Sequence, residues 1–377
     1  MGVNMQIALT KKLADAIGVK PAPADDGANP LLSWTANWTN TFDRRKEDMI
    51  VMVNNATRFT VTIFGVRRNQ LKGIKLKMAN AIRNTLLAMN INTEVVDEYM
   101  RQAGEVEFCA NRDRQLTAWV NRQGIDACLK IGLAVNESDG AIKYNDTMGY
   151  LVSGWSVSYG KKSAESYKPS DKMKEALADL TGMPIYKYKA FELLVTLDLS
   201  IYKATRRLIV PSDIEFIDFH LLLQHVFHWD NYHLHEFLVF TDKRKKKPAA
   251  RIVMSDAIQP NGFINEDDLI IVENGHKLSE YLPKFKRMLY IYDFGDYWEH
   301  SIDLVRVIEE HDEESPYLLE AVGQTPPDDI GGVGGFIRFR EIKLNPDHPE
   351  YDEMNDWAFG WSPELREWES KPRIIHY

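Results

Sequence analysis

The stretch Tyr290–Glu310, "YIYDFGDYWEHSIDLVRVIEE", decides how the second half of the chain folds. Its first nine residues hold five aromatics, two aspartates and a glycine; a histidine and a strand-like alternation follow. Gly295-Asp296 is a hairpin signal, because glycine enters tight turns without steric cost. If these two residues form the turn, Phe294 lies opposite Tyr297, Asp293 opposite Trp298 and Ile291 opposite His300. Leu289, Ile291, Asp293, Trp298, His300, Ile302 and Leu304 then share one face. That face is mostly apolar and is expected inward, with Glu299, Ser301 and Asp303 outward. Asp293 and His300 become diagonal neighbours within side-chain reach. A buried carboxylate needs a partner. The pair is either a polar lock on the core, or an acid–base pair or half of a metal site.

Strand signals surround this hairpin. "YKAFELLVTLDLS" (188–200) is a long strand with "TRRLIVP" (205–211) as its hairpin partner, and "HLHEFLVF", "ARIVM" and "PYLLEAV" add more. "PSDIEFIDFHLLLQHVFHW" (211–229) carries a capping-box pattern, Ser212 with Glu215, before a helix apolar almost all round. Such a helix is buried against a sheet. In the first half, Leu71, Ile74, Met78, Ile82, Leu86 and Met89 mark a helix by their spacing, and further helices are expected over 93–104, 113–129 and 170–180. The expected class is α+β in two domains, the C-terminal one a mixed or mainly antiparallel sheet with flanking helices. The expected boundaries are 1–135 for the N-terminal domain, 136–184 for a connecting segment and 185–377 for the second domain.

Bulk properties narrow the setting. The chain has 377 residues, more than one ordinary core holds. Hydrophobic content is 44% and charged content 27%, as in globular proteins. Two cysteines, Cys109 and Cys128, exclude a disulfide framework and a Cys-rich zinc site. Neither a membrane-length apolar run nor a leader pattern is present, so a cytoplasmic location without membrane partners is expected. Net charge is −9 but uneven: residues 1–130 carry an excess of five positive charges, residues 293–377 an excess of fourteen negative ones. Any nucleic-acid contact should therefore come from the N-terminal half or a local patch. Arg67, Arg68, Lys72 and Lys75 are the candidates, on and beside a helix flank. The run "KRKKK" (243–247) reads as a solvated hairpin tip.

Three constellations could carry chemistry. The first is the hairpin, with Asp293 and His300 as catalytic candidates. The second is "PPDDIGGVGGF", where Asp328 and Asp329 sit between prolines and glycines. With Asp293 or Asp296 nearby they could hold a divalent metal; otherwise they cap the next helix. The metal candidates are thus Asp293, Asp296, Asp329 and His300. The third is a cluster of His220, His225, His228, His233 and His235, a zinc or iron site or a set of core histidines. "DFG" lacks the catalytic loop and Gly-rich loop of a kinase, and "GGVGG" matches no nucleotide-binding pattern.

Taken in order, "LLVTLDLS…RRLIVP", "LHEF", "YIYDFGDYWEHSIDL" and "VGQTPPDDIGGVGGF" resemble the plasmid pRiA4b ORF-3-like family over about residues 185–360. The resemblance implies a link to mobile elements or defence, and marks Tyr292, Asp293, Phe294, Gly295, Asp296, Trp298, His300, Pro326, Pro327, Asp329, Gly331 and Gly332 as characteristic positions. A tryptophan common after the family's first strand is replaced here by Tyr202-Lys203, and a cysteine common before the Pro-Pro loop is absent. Asp328-Asp329 stands where Glu-Asp is usual. The N-terminal half is similar to a small uncharacterised bacterial domain. Two functions fit these observations. One is a two-domain binding protein for nucleic acid or a protein partner, with Tyr292, Asp296, Trp298, Asp328, Asp329, Gly331 and Gly332 as binding candidates. The other is a metal-dependent, phosphodiesterase-like hydrolase using the Asp/His cluster.

Overall fold

The computed structural model describes residues 4–41, 46–111, 113–134, 145–158, 165–241, 247–254, 269–285 and 287–375, with side chains except those of 128–134 and 145–147. The chain divides into two compact units, Met1–Lys187 and Tyr188–Tyr377.

The first unit contains β1 (Met5–Leu9), α1 (Lys11–Ile17), β2 (Ala22–Pro23), β3 (Ser33–Thr39), β4 (Met49–Asn54), β5 (Thr60–Phe64), α2 (Ile74–Ala88), α3 (Thr93–Ala103), β6 (Val106–Ala110), α4 (Arg114–Ala134), α5 (Asn145–Ser153), β7 (Val157–Ser158), β8 (Ser166–Tyr167) and α6 (Pro169–Thr181). Its mixed sheet runs β2-β6-β1-β3-β4-β5; β3–β4 and β4–β5 are antiparallel and the other pairs parallel. The apolar spacing of α2 buries Ile74, Met78, Ile82 and Leu86 against it. The segment 136–184, expected to connect two domains, is built into this unit where it is described. Met173 and Leu177 of α6 are buried in the main core, and Met148 and Val152 of α5 pack with Met49, Val51 and Val53.

The second unit contains β9 (Tyr188–Asp198), β10 (Lys203–Pro211), α7 (Phe216–Phe227), β11 (His235–Phe240), β12 (Ala250–Val253), β13 (Ile270–Val272), β14 (Arg287–Tyr292), β15 (Trp298–His311), β16 (Tyr317–Val322), α8 (Gly332–Lys343), α9 (Tyr351–Trp357), α10 (Glu367–Ser370) and β17 (Arg373–Ile374). Its nine-stranded sheet runs β13-β12-β11-β14-β15-β9-β10-β16-β17, antiparallel except at β12–β13. The chain is therefore α+β, with a mainly antiparallel C-terminal sheet and flanking helices. On one sheet face α7 buries Phe216, Phe219, Leu222, Leu223, Val226 and Phe227. Each such side chain contributes about 1.5–3 kcal/mol through apolar burial. The capping box is not formed: α7 starts after Glu215, which makes no side-chain cap bond.

The hairpin differs from its expected register by one residue. Tyr290 pairs with His300 and Tyr292 with Trp298, because the connection is the five-residue loop 293–297, not a two-residue turn. A one-residue slip exchanges the faces of one strand. Met288, Tyr290 and Tyr292 therefore join Trp298, His300 and Ile302 in the main core. Leu289 and Ile291 pack on the opposite face with Leu238 and Phe240.

Candidate metal centre

Three loops meet at the end of β14. The first is the hairpin tip. Its closing bond is the 2.7 Å contact from the Tyr297 N–H to the Asp293 carbonyl. Asp293 and Tyr297 both have φ of 57°, a left-handed conformation that aspartate tolerates better than most residues. The Asp293 N–H donates to the Leu234 carbonyl at 3.0 Å, and its Oδ1 accepts from the Gly295 N–H at 2.8 Å. Asp293 thus stands at the loop's corner, only 7% exposed.

The second loop joins α7 to β11 and carries His233. The third, 326–331, leads into α8. Gly331 and Gly332 take φ of 87° and 67°, so the chain reverses where a side chain would be strained. The Gly331 N–H donates to Asp296 Oδ2 at 3.0 Å, and the Asp230 N–H to Asp328 Oδ2 at 2.8 Å. These bonds lash the third loop to the other two. The aspartates do not cap α8, whose N-cap is Gly331 without a side-chain bond.

Here His233, Asp293 and Asp329 each offer a ligand atom, all within 4.8 Å of one another. His233 Nε2 lies 3.2 Å from Asp329 Oδ1 and 3.8 Å from Asp293 Oδ2. It is buried and makes a hydrogen bond to neither. Ligand atoms ~2.1 Å from one octahedral ion stand about 3 Å apart when adjacent and about 4.2 Å apart when opposite. The observed spacing fits that range, and a nitrogen flanked by two carboxylates yet aligned with neither suits a cation between them. No other group of three candidate ligands converges among the described residues.

The expected ligands divide accordingly. Asp293 and Asp329 come together. Asp296 is in the same loop cluster, but holds the Gly331 amide. His300 is a correction: it does not face Asp293, because the register slip turns Asp293 into the loop. His300 is fully buried, with Nδ1 3.0 Å from the Trp298 carbonyl and Nε2 accepting from Trp229 Nε1 at 3.4 Å. Burial holds its pKa down to about 3, so it is a neutral core residue. His233 enters in its place. It belongs to the histidine cluster, but nothing in its spacing ties it to aspartates 60 and 96 residues away.

The other candidates frame the site. The Tyr292 hydroxyl accepts from the Tyr232 N–H at 3.3 Å and is kept protonated by burial and the nearby Asp328. Burial raises the Asp328 carboxyl, whose Oδ1 is enclosed without a hydrogen-bond partner. Trp298 is fully buried and stacks on Trp229 at 5.5 Å. The remaining histidines do not assemble a zinc or iron site among the described residues. His220 and His235 stack in the core at 3.5 Å, His235 bonds Glu273, and His228 ends α7 near Glu369. In the first unit Arg67, Arg68, Lys72 and Lys75 are all exposed, and the Lys75 ammonium lies over the Phe108 ring. The "KRKKK" run, apart from Lys247, lies outside the described residues.

Comparisons with known proteins cover both units. A family model for plasmid pRiA4b ORF-3-like proteins matches residues 189–370. A domain of unknown function, DUF6933, matches residues 6–147. The uncharacterized protein y4hQ of Sinorhizobium fredii is 33% identical over 174 residues, which is 44% of this chain and 78% of that protein. A crystal structure of a protein of unknown function from Methanosarcina mazei Go1 is similar at 28% identity and a TM-score of 0.39. That match covers 48% of this chain and 95% of the other.

Proposed function

Since the chain belongs through its second unit to the plasmid pRiA4b ORF-3-like family, we propose that this unit is a metal-dependent hydrolase whose ion sits on His233, Asp293 and Asp329. The observation that carries the reading is the convergence of those three ligand atoms around a buried, unbonded imidazole nitrogen. One nitrogen among carboxylate oxygens favours Mn²⁺, Zn²⁺ or Fe²⁺ over Ca²⁺. Such an ion supplies Lewis acidity and an activated water. The chain's own contribution is to bind and orient: Asp293 is fixed by two backbone amides, its own and that of Gly295, and Asp329 by the clamped 326–331 loop. Asp230, Asp293, Asp296, Asp328 and Asp329 crowd these loops with negative charge. A polyanion is repelled there, whereas a phosphodiester with one charge can approach a bound cation.

The test is a titration with Mn²⁺ beside an assay on bis(p-nitrophenyl) phosphate. The full chain should take up about one ion and turn the ester over, and a D293N/D329N chain should do neither. Equal uptake by that variant overturns the site. Uptake without turnover overturns the hydrolase and leaves a cation-dependent binding module.

A second reading rests on the exposed Arg67, Arg68, Lys72 and Lys75 in the first unit. We propose that they contact nucleic-acid phosphates. Four such contacts on duplex DNA predict a slope of about −3.6 in log affinity against log salt. A flat response would remove this reading.

A further inference from the structure

The loop bearing His233 rests on polar groups buried inside the unit. His220 and Gln224 of α7 are each 3% exposed, and Tyr290 of β14 is fully buried. Buried polar side chains are costly unless bonded, and these three bond to one another and to Asn231.

The bonds close a ring with one consistent direction. Gln224 Nε2 donates to the Tyr290 hydroxyl at 2.7 Å. The Tyr290 hydroxyl then has its own proton for His220 Nδ1, 2.8 Å away. That leaves the proton of His220 on Nε2, which faces Asn231 Oδ1 at 2.8 Å. The Asn231 N–H donates to Gln224 Oε1 at 2.9 Å and closes the circuit. Each of the four bonds of the circuit joins a donor to an acceptor, the imidazole is neutral, and it stacks on His235. Chains of this kind strengthen one another in a low-dielectric interior. Asn231 sits at φ of 58°, a left-handed conformation that asparagine accepts.

The ring touches two of the three segments that carry ligands. Asn231 precedes His233 by two residues, and Tyr290 precedes Asp293 by three on the same strand. We propose that Gln224, Tyr290, His220 and Asn231 form a hydrogen-bond ring that positions His233 against Asp293 for cation binding. The inference rests on the metal site proposed above. It makes these four positioning residues, not ligands.

The probe is Mn²⁺, titrated into the full chain, with thermal unfolding measured on each protein in parallel. Asn231→Gly keeps the left-handed backbone and the amide but removes Oδ1. Tyr290→Phe removes the hydroxyl at the opposite side of the ring. Each should weaken Mn²⁺ binding about tenfold to a hundredfold, as loss of an outer-shell partner does. Asn231→Asp, which restores an acceptor, should recover most of it. Lower melting temperatures with unchanged Mn²⁺ affinity in both variants would overturn the proposal and leave a structural network. If Asp293→Asn and Asp329→Asn also leave affinity unchanged, the metal site itself fails. If they abolish binding while the ring variants do not, the ring alone fails.

Discussion

Replacing His300 with phenylalanine separates a core histidine from an ion-paired one. In the fold described above His300 is fully buried, with its two ring nitrogens facing the Trp298 carbonyl and the Trp229 indole. His300→Phe removes the Nδ1 contacts to the Trp298 and Tyr290 carbonyls and the acceptor of the Trp229 indole, at a cost of about 2 kcal/mol near pH 8. The pH dependence carries the sign. Burial holds the folded pKa at about 3, against roughly 6.5 in the unfolded chain. A depressed pKa gives stability that is complete above the unfolded value and is lost as pH falls toward the folded one. The wild type should therefore lose about 1.4 kcal/mol per pH unit below about pH 6.5 relative to the variant. The initial advantage of about 2 kcal/mol is then spent near pH 5, where the two stability curves cross. His220, also pushed far down by burial, acts equally in both proteins and cancels. Urea denaturation followed by tryptophan fluorescence, from pH 8 to pH 4.5, measures the difference. An Asp293–His300 ion pair predicts the opposite sign, with the wild-type advantage growing on acidification. That outcome, or a difference constant with pH, refutes the reasoning.

Other outcomes test neighbouring parts of the fold. A Cβ on Gly335 would sit 1.9 Å from the Ile330 carbonyl oxygen, whereas one on Gly334 meets nothing within 4 Å. Gly335→Ala should thus displace the 326–331 loop and weaken Mn²⁺ binding at least tenfold in titration. Gly334→Ala should leave it unchanged. Asp296→Asn keeps an acceptor for the Gly331 amide and removes a charge that stands outside the His233, Asp293 and Asp329 group. Its Mn²⁺ affinity should stay within a few-fold of wild type, and a loss as large as that of Asp293→Asn would make Asp296 a ligand. Glu192, fully buried on β9, is gripped by Arg207 and Arg306. Burial pushes its carboxyl up, but the two arginines outweigh this and hold it below the usual carboxylate range. Its stabilisation is therefore present above about pH 4.3 and lost as pH falls below that. Both arginines are about half exposed, so Glu192→Gln should cost only about 1–2 kcal/mol in urea denaturation at pH 7.

Local patterns carried much of the fold because they need few neighbours. The helix α7 was legible from its all-round apolar sequence, which only a sheet can cover. The spacing from Leu71 to Met89 marked α2, and β9, β10 and β15 followed from alternating or branched apolar runs. Trp298 and His300 were placed inward by the same alternation. The family pattern also marked Asp293 and Asp329, whose loops the fold brings together.

The length of the hairpin loop was not legible. Gly295-Asp296 satisfies a two-residue turn by local chemistry, yet Asp293 and Tyr297 take left-handed backbones and extend the loop to five residues. The stabilising contacts come from elsewhere: the Leu234 carbonyl receives the Asp293 amide, and Asp296 receives that of Gly331. That slip of one residue moved Asp293 from the core face to the loop corner and separated it from His300. Likewise His233 had no sequence neighbour to mark it, since its partners stand 60 and 96 residues further on. The sequence by itself determined which segments are strands and helices, because periodicity is a property of consecutive residues. Which carboxylate meets which histidine was decided only by the tertiary structure, because that depends on backbone bonds between distant loops.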